Sequence, residues 1–431
     1  MCKDHGRTKT KCADTDISSS CKQHKAVWQS STNWSKIPAS SLPTKGDIKA
    51  AIPKECFERS TIHSLLFVLR DLAMAAALAL LTSKLLSTEP PSFSSLFELK
   101  TLYWFVGWNV YAFWQGCILT GIWVLGHECG HGAFSASDAI NDLVGFVLHQ
   151  LLLVPYFAWQ YTHSKHHRRT NHLIDGESHV PSTGVENGLG PNNERLSFYA
   201  AWHEAMGDGA FAAFQVFTHL VLGWPLYLLG MASTGRLAAN GQPTSELMDH
   251  FRPWSPMFPK KIRHKIALST ITFAASVCLL VFACSRFGAL QVWLWYGFPY
   301  MWVNSWLVLY TWLQHTDPSV PQYGDDQWTW VKGALATIDR PYGIFDFFHH
   351  NIGSTHVAHH LFHEMPFYKA PLATKHLKQY LGPLYNYDPT PFYITMWRVA
   401  HTCHYVQDTK GVQYYKSFED VPRTPQKSKT I

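Results

Sequence analysis

The sequence predicts an all-α membrane protein, with four transmembrane helices and a cytosolic helical cap that carries a histidine metal site. Three observations support that reading. Apolar residues gather in runs long enough to cross a bilayer. Charged residues make up only 15% of the 431-residue chain, well below the roughly 25% usual for soluble domains. Histidines recur in three clusters, each placed just after an apolar run. A mean hydropathy of −0.10 is low for a membrane protein, so a large polar part stands outside the lipid. The formal charge of +6 is modest, and basic residues cluster beside apolar segments, at Lys165, Arg168 and Arg169 and at Lys260, Lys261, Arg263 and Lys265. That placement suits an anionic leaflet better than nucleic acid. Nine cysteines without a C-x-x-C pair fit reduced thiols in a cytosol-facing protein.

Taken in order, residues 1–45 are polar, rich in Lys and Ser, and read as a disordered cytosolic tail with no cleavable signal peptide. The membrane domain is expected over residues 46–405. A first span is placed near 65–87, with Arg70 and Asp71 close to its near edge. A second, over 102–125, is long enough for about 30 Å of hydrocarbon and ends on His127-Glu128-Cys129-Gly130-His131. The apolar run 143–159 leads into His163-Ser164-Lys165-His166-His167. If both clusters serve one site they share a side, so this run lies at the interface or dips and returns. Asp142, His149 and Pro155 make it a poor span in any case.

Three candidates precede the third cluster, at 211–232, 266–287 and 290–313. Parity allows two. The first carries His219, Pro225 and several glycines and is assigned to an amphipathic or re-entrant segment. The other two form a hairpin turning near Gly288, and both termini then face the histidine side. The loop from Ser87 to Glu98 holds two glutamates and no lysine or arginine, as the positive-inside rule asks of an outer loop. Residues 234–258 read as a polar connector and 406–431 as a cytosolic tail, whose Lys427 and Lys429 resemble a dilysine endoplasmic-reticulum retrieval signal.

The third cluster lies in HHNIGSTHVAHHLFH (349–363), which holds six of the 25 histidines. His356, His359 and His360 stand at i, i+3 and i+4 and so share one helix face. His163, His166 and His167 repeat that spacing, and His127 and His131 stand at i and i+4. Neutral imidazole suits iron, zinc, copper or nickel, whereas calcium and magnesium want oxygen. Eight imidazoles exceed the four ligands of zinc. Two metals of higher coordination number fit the count, and an all-nitrogen shell favours iron over hard cations. Isolated histidines such as His149 and His219 read as ordinary core or surface residues. The first cluster also matches H-E-x-x-H, in which Glu128 would be the general base of a zinc protease. That reading leaves both H-x-x-H-H clusters unexplained. A metal transporter or sensor would place histidines inside the apolar runs, not just after them.

These clusters and their surroundings resemble the membrane fatty acyl desaturases, in particular the microsomal Δ12 (oleate) type. The similarity covers most of residues 46–405. It is carried by IKAAIPKECFERS (48–60), HECGHGAFS (127–135), LLVPYFAWQYTHSKHH (152–167), NSWLVLYTWLQHTDPSVPQY (304–323), GALATIDRPYGIF (333–345) and HVAHHLFHEMPFYKA (356–370). Glu128 and Ala358 are similar to the Δ12 group. Gly132 stands where plant members commonly have a second histidine, and Asp175-Gly176-Glu177 departs from the family's R-D-E run, leaving Glu177 as the matching acid.

The resemblance implies two non-haem irons held by the eight box histidines, with O2 as co-substrate. It further implies a fatty acyl lipid substrate, on phospholipid or coenzyme A, in the endoplasmic reticulum membrane. Electrons would come from cytochrome b5 and its reductase; the chain has no His-Pro-Gly-Gly haem stretch, so the donor is expected to be a separate protein. A homodimer is compatible with the resemblance and not required by it. A ninth imidazole ligand is implied between the second and third boxes. His315 is the choice, although spacing leaves His349 and His350 in contention. Glu128, Asp142, Glu177 and Asn351 are candidates to orient ligand rings from behind. Trp159, Tyr161, Phe345 and Phe348 are candidate walls of an acyl tunnel. The implied reaction removes two hydrogens from adjacent methylenes, converting oleate to linoleate. Δ15 (ω3) or dual desaturation, and hydroxylation, acetylenation or epoxidation by a divergent member, are the alternatives. An unactivated C–H bond gives hydrolytic residues nothing to act on, so the chemistry belongs to the cofactor and the protein places the chain.

Overall fold

Helix caps and turn residues divide the chain into the elements that carry the histidines, and the computed structural model describes residues 37–91, 98–189, 196–232 and 235–420. Most of the expected N-terminal tail, the dilysine pair and much of the first outer loop lie outside the described residues. Helix α1 (Lys45–Ala50) starts in a capping box, with Thr44 Oγ1 accepting from Asp47 N (3.2 Å) and Asp47 accepting from Thr44 N (2.9 Å). Ordered chain therefore begins upstream of the boundary expected at residue 45.

Helix α2 (Thr61–Leu85), capped by Ser60, spans about 38 Å at 1.5 Å per residue. It packs against α3 (Leu99–Gly130), a 32-residue helix that delivers the first cluster in its last turn. The apolar run 143–159 is not one helix. It breaks at residues 151–155, where Leu153 adopts a φ of +53°, and turns back. Helices α4 (Asp138–Gln150) and α5 (Tyr156–Arg168) consequently lie side by side, and α5 brings the second cluster to the end of α3.

Helix α6 (Phe198–Met206) is followed by α7 (Asp208–Phe217), a π turn (Thr218–Leu222) and α8 (Gly223–Leu228). This is the segment expected to be amphipathic or re-entrant, and it is one unbroken helix apolar and long enough to cross a membrane. The features that argued against it are absorbed locally. Pro225 stands just after the π turn, where the i→i−4 bonding is already interrupted, so its missing N–H does not end the helix. His219 Nδ1 donates to Gln215 O (2.8 Å) within the helix.

Among the described residues, three helices are long and apolar enough to cross a membrane: Thr61–Leu85, Asp208–Leu228 and Lys260–Phe287. The expected spans at 102–125 and 290–313 fall outside that set. They lie in α3 and in the run α10 (Ala289–Val292), π turn (Trp293–Gly297) and α11 (Phe298–His315), helices rich in Trp, Tyr and Gly that pack against each other in the interior. Helix α9 (Arg263–Phe287) meets α10 in a turn at Gly288, whose φ of +91° suits glycine. Leu65, Leu69 and Leu80 on α2 and Ile271, Leu279 and Phe282 on α9 are exposed, as surfaces facing lipid would be.

The cap is built from α1, α12 (Trp330–Leu335), α14 (His356–Leu361) and α15 (Ala370–Leu381), around Ile48, Leu335, Val357, Leu361 and Leu377. Between them stands α13 (Phe345–Phe348), and α16 (Phe392–Thr402) follows. Strand β1 (Gln322–Tyr323) pairs antiparallel with β2 (Val412–Gln413), and Val406 N donates to Ser182 O (2.9 Å). Residues 406–420 are thus part of the folded unit and not a tail.

Candidate metal centre

The end of α3, the face of α5, the end of α11 and the start of α14 converge, and their imidazoles fall into two groups. His127, His131, His163, His167 and His359 form the first; His166, His315 and His360 form the second; ring nitrogens within each lie within 4.8 Å of one another. His356 adjoins the second, its Nε2 3.0 Å from that of His315. All eight box histidines and His315 are therefore brought together. The two contenders for the ninth position point elsewhere: His349 Nδ1 accepts from the Tyr310 hydroxyl (2.7 Å), and His350 Nε2 donates to Asp71 (2.7 Å).

Spacing of the facing nitrogens fits a metal. Nε2 pairs stand 3.2 Å apart in His127/His131 and in His163/His167, and 3.1 Å apart in His166/His315. An octahedral edge for metal–nitrogen bonds of about 2.1 Å is about 3.0 Å, whereas a tetrahedral edge is about 3.4 Å. The buried Nε2 atoms of His359 and His360 have no hydrogen-bond partner in the protein. Burial, reinforced by neighbouring imidazoles, holds His127, His131, His163 and His167 well below the usual imidazole range. Burial also lowers His166 to about 4 and His359 to about 3. Neutral rings with open nitrogens are what a metal requires.

Rings are oriented from behind mostly by main chain and hydroxyl. His166 Nδ1 donates to the Glu177 carbonyl (2.9 Å) and meets Ser178 Oγ (3.0 Å). Thr170 Oγ1 donates to His166 O (2.8 Å) and so accepts from His360 Nδ1 (3.0 Å). Glu128 Oε1 lies 3.4 Å from His127 Nδ1, and its other oxygen accepts from Phe367 N (3.0 Å). Burial raises Glu128 to about 8. The carboxyl is behind the His127 ring, away from the converging Nε2 atoms, so it is badly placed to activate a metal-bound water.

The side chains of the other three residues expected behind the rings do not stand there. Asp142 pairs with Lys265 (2.8 Å). The Glu177 carboxylate faces Lys165 (3.6 Å), leaving its carbonyl for His166. Asn351 takes a φ of +59° and uses its backbone carbonyl to receive Thr355 N (3.0 Å) and Thr355 Oγ1 (2.9 Å) ahead of α14. Gly176, the departure noted in the sequence, has a steric cause: a Cβ there would stand 2.2 Å from His172 O. We expect Gly176→Ala to lower stability by about 1–3 kcal/mol, the usual cost of overpacking, read as a fall in the thermal midpoint.

An apolar cavity of about 130 Å³ opens against His163, walled by Trp123, Trp159, Trp224, Tyr227, Leu307 and Val308. Of the four expected tunnel residues, only Trp159 lines it, stacked on His163 at 4.7 Å. Tyr161 packs on Phe258, and Phe345 and Phe348 pack on Trp114 beside α3. His179 and His219 line the cavity too. The sequence offered little to find them, because the wall is assembled from α5, the π turn, α8 and α11, which are far apart in the chain.

Similarity to known proteins bears on this geometry. The family model for fatty acid desaturases matches residues 102–391. A Δ12 fatty acid desaturase of Mortierella isabellina is 39% identical over 86% of this chain and 90% of its own length. A Δ12 fatty acid desaturase of Arabidopsis thaliana is 38% identical over 89% and 94%. An oleoyl-12-hydroxylase of Ricinus communis is 37% identical over 90% and 94%.

Proposed function

Because the chain belongs to the fatty acid desaturase family, we propose that this enzyme introduces the Δ12 (ω6) cis double bond into lipid-linked oleate, giving linoleate. One observation carries the reading: two adjoining groups of imidazoles that open, at His163, onto an apolar cavity. Iron is the metal we assign to each group. It is supported by the nitrogen-only donors and, in the second group, by facing-nitrogen spacings of 3.1 Å (His166/His315) and 3.0 Å (His315/His356), nearer an octahedral than a tetrahedral edge. His127, His131, His163, His167 and His359 would hold one ion, and His166, His315, His356 and His360 the other. With O2, the bound irons supply the oxidising power that an unactivated C–H bond demands.

The chain's own residues do the placing. Trp123, Trp159, Leu307 and Val308 exclude water and seat the methylenes. A methylene leaving water gains about 0.8 kcal/mol, but an acyl chain arrives from bilayer hydrocarbon, where that gain is already made. Cavity shape, not affinity for hydrocarbon, then has to decide which carbons meet the metals. We further assign four crossings with both termini cytosolic in the endoplasmic reticulum membrane, and electron supply from cytochrome b5. The basic residues beside Lys165 and Lys260 support that orientation.

Expression in yeast, with gas chromatography of total fatty acids, tests the assignment. A Δ9,12 dienoic acid is expected. The hydroxylase relative makes 12-hydroxyoleate the informative rival product; its appearance without the diene would replace the reading, and no new fatty acid would remove it.

A further inference from the structure

We infer that the segment Ile338-Asp339-Arg340 is a splint that sets the second histidine group, with Arg340 as the residue that positions His315. The inference rests on reading the two groups as metal sites. His315 is the last residue of α11 and belongs to no histidine box, so something other than box geometry must aim it. Both sides of it are tied to the splint. Arg340 Nε donates to Leu313 O (3.0 Å), Ile338 N to Gln314 O (3.1 Å) and Arg340 Nη2 to Asp317 Oδ2 (2.9 Å). Two of these three residues also hold the start of α14. Arg340 N donates to Gly353 O (3.1 Å), and Asp339 Oδ1 accepts from Val357 N (2.8 Å), so His356 is bracketed as well. His315 and His356 meet with Nε2 atoms 3.0 Å apart.

Arg340 is fully buried, at 0% exposure. Its guanidinium joins Asp317, Asp388 and Arg398 in a quartet of two cations and two carboxylates, in which Arg398 also reaches Asp317 (2.7 Å) and Asp388 (2.8 Å). Desolvation offsets much of the attraction in such a buried group, so its net contribution to stability is small. What the fork of donors fixes is direction: Nε takes the helix carbonyl while the two terminal nitrogens take separate carboxylates. Lysine keeps the charge and cannot make that set. The first group depends on α3 and α5, and its one α14 member, His359, donates its backbone N–H to Thr355 O (3.1 Å) on a helix whose start is tied to Asp339 through Val357 N, with no bond to the guanidinium.

The test uses full-length protein purified with its metal, reading iron per chain and its Mössbauer spectrum. Wild type is expected to carry about two irons and two environments. His315→Ala is the reference, expected to retain about one iron. Arg340→Lys is expected to reproduce both its stoichiometry and its spectrum, a match that general loosening of the fold would not give. Wild type without iron would sink the metal reading itself. Two irons and two environments retained in Arg340→Lys, or both lost together, would overturn the splint while leaving the metal reading intact. Should Arg340→Lys fail to fold, Asp388→Asn is judged by the same outcomes. If neither folds, the quartet holds the fold and not His315, and the inference fails.

Discussion

Cells expressing His359→Ala make at least about 100-fold less dienoic acid than wild type, since losing a ligand costs more than the 10–100-fold seen for groups behind ligands. Purified protein retains about one iron per chain. His359 is the one residue through which the third box enters the first group, with its ring centroid 4.7 Å from His127, 4.8 Å from His131 and 4.6 Å from His167. Alanine leaves four imidazoles around an opening that the protein cannot close, because the remaining four are fixed on α3 and α5. A zinc protease built on His127, Glu128 and His131 makes the opposite prediction. It would tolerate His359→Ala and lose activity on Glu128→Gln. Product within about twofold of wild type would exclude the first group as the metal site.

A second large effect is expected at the cavity. Val308→Trp places an indole in a space of about 130 Å³, on the α11 wall that already meets Gly223 closely. Dienoic product falls at least about tenfold, in keeping with the sensitivity of rate to small misplacements, while iron per chain stays at the wild-type value. The two readings separate tunnel from metal centre, which a ligand variant cannot do. Wild-type product from this variant would mean that the acyl chain takes another route.

Which parts of this site were legible in the sequence follows from the range over which each signal acts. Helical spacing is local, so His163, His166 and His167, and again His356, His359 and His360, could be read as sharing a face, but the structure divides each triplet between the two groups, which spacing alone does not foretell. His315 stood out only through family resemblance. Geometry then separates it from His349 and His350, which Tyr310 and Asp71 engage. Proximity in sequence misled elsewhere. Phe345 and Phe348 lie near the third box in the chain, yet α13 turns them toward α3, and the cavity takes its walls from Trp224, Tyr227, Leu307 and Val308 instead. Asp142 failed for a related reason, since Lys265 on α9 claims it from more than a hundred residues away. The proline and histidine that weighed against the segment 208–228 as a span do not end its helix, since a π turn carries the chain past them.

Metal analysis of purified, active protein tests the central claim most directly. Two separate imidazole groups, one of five and one built around His315, require about two iron ions per chain with nitrogen as the dominant ligand in X-ray absorption. Active protein that contains no iron, or a single zinc with iron absent, would contradict the account.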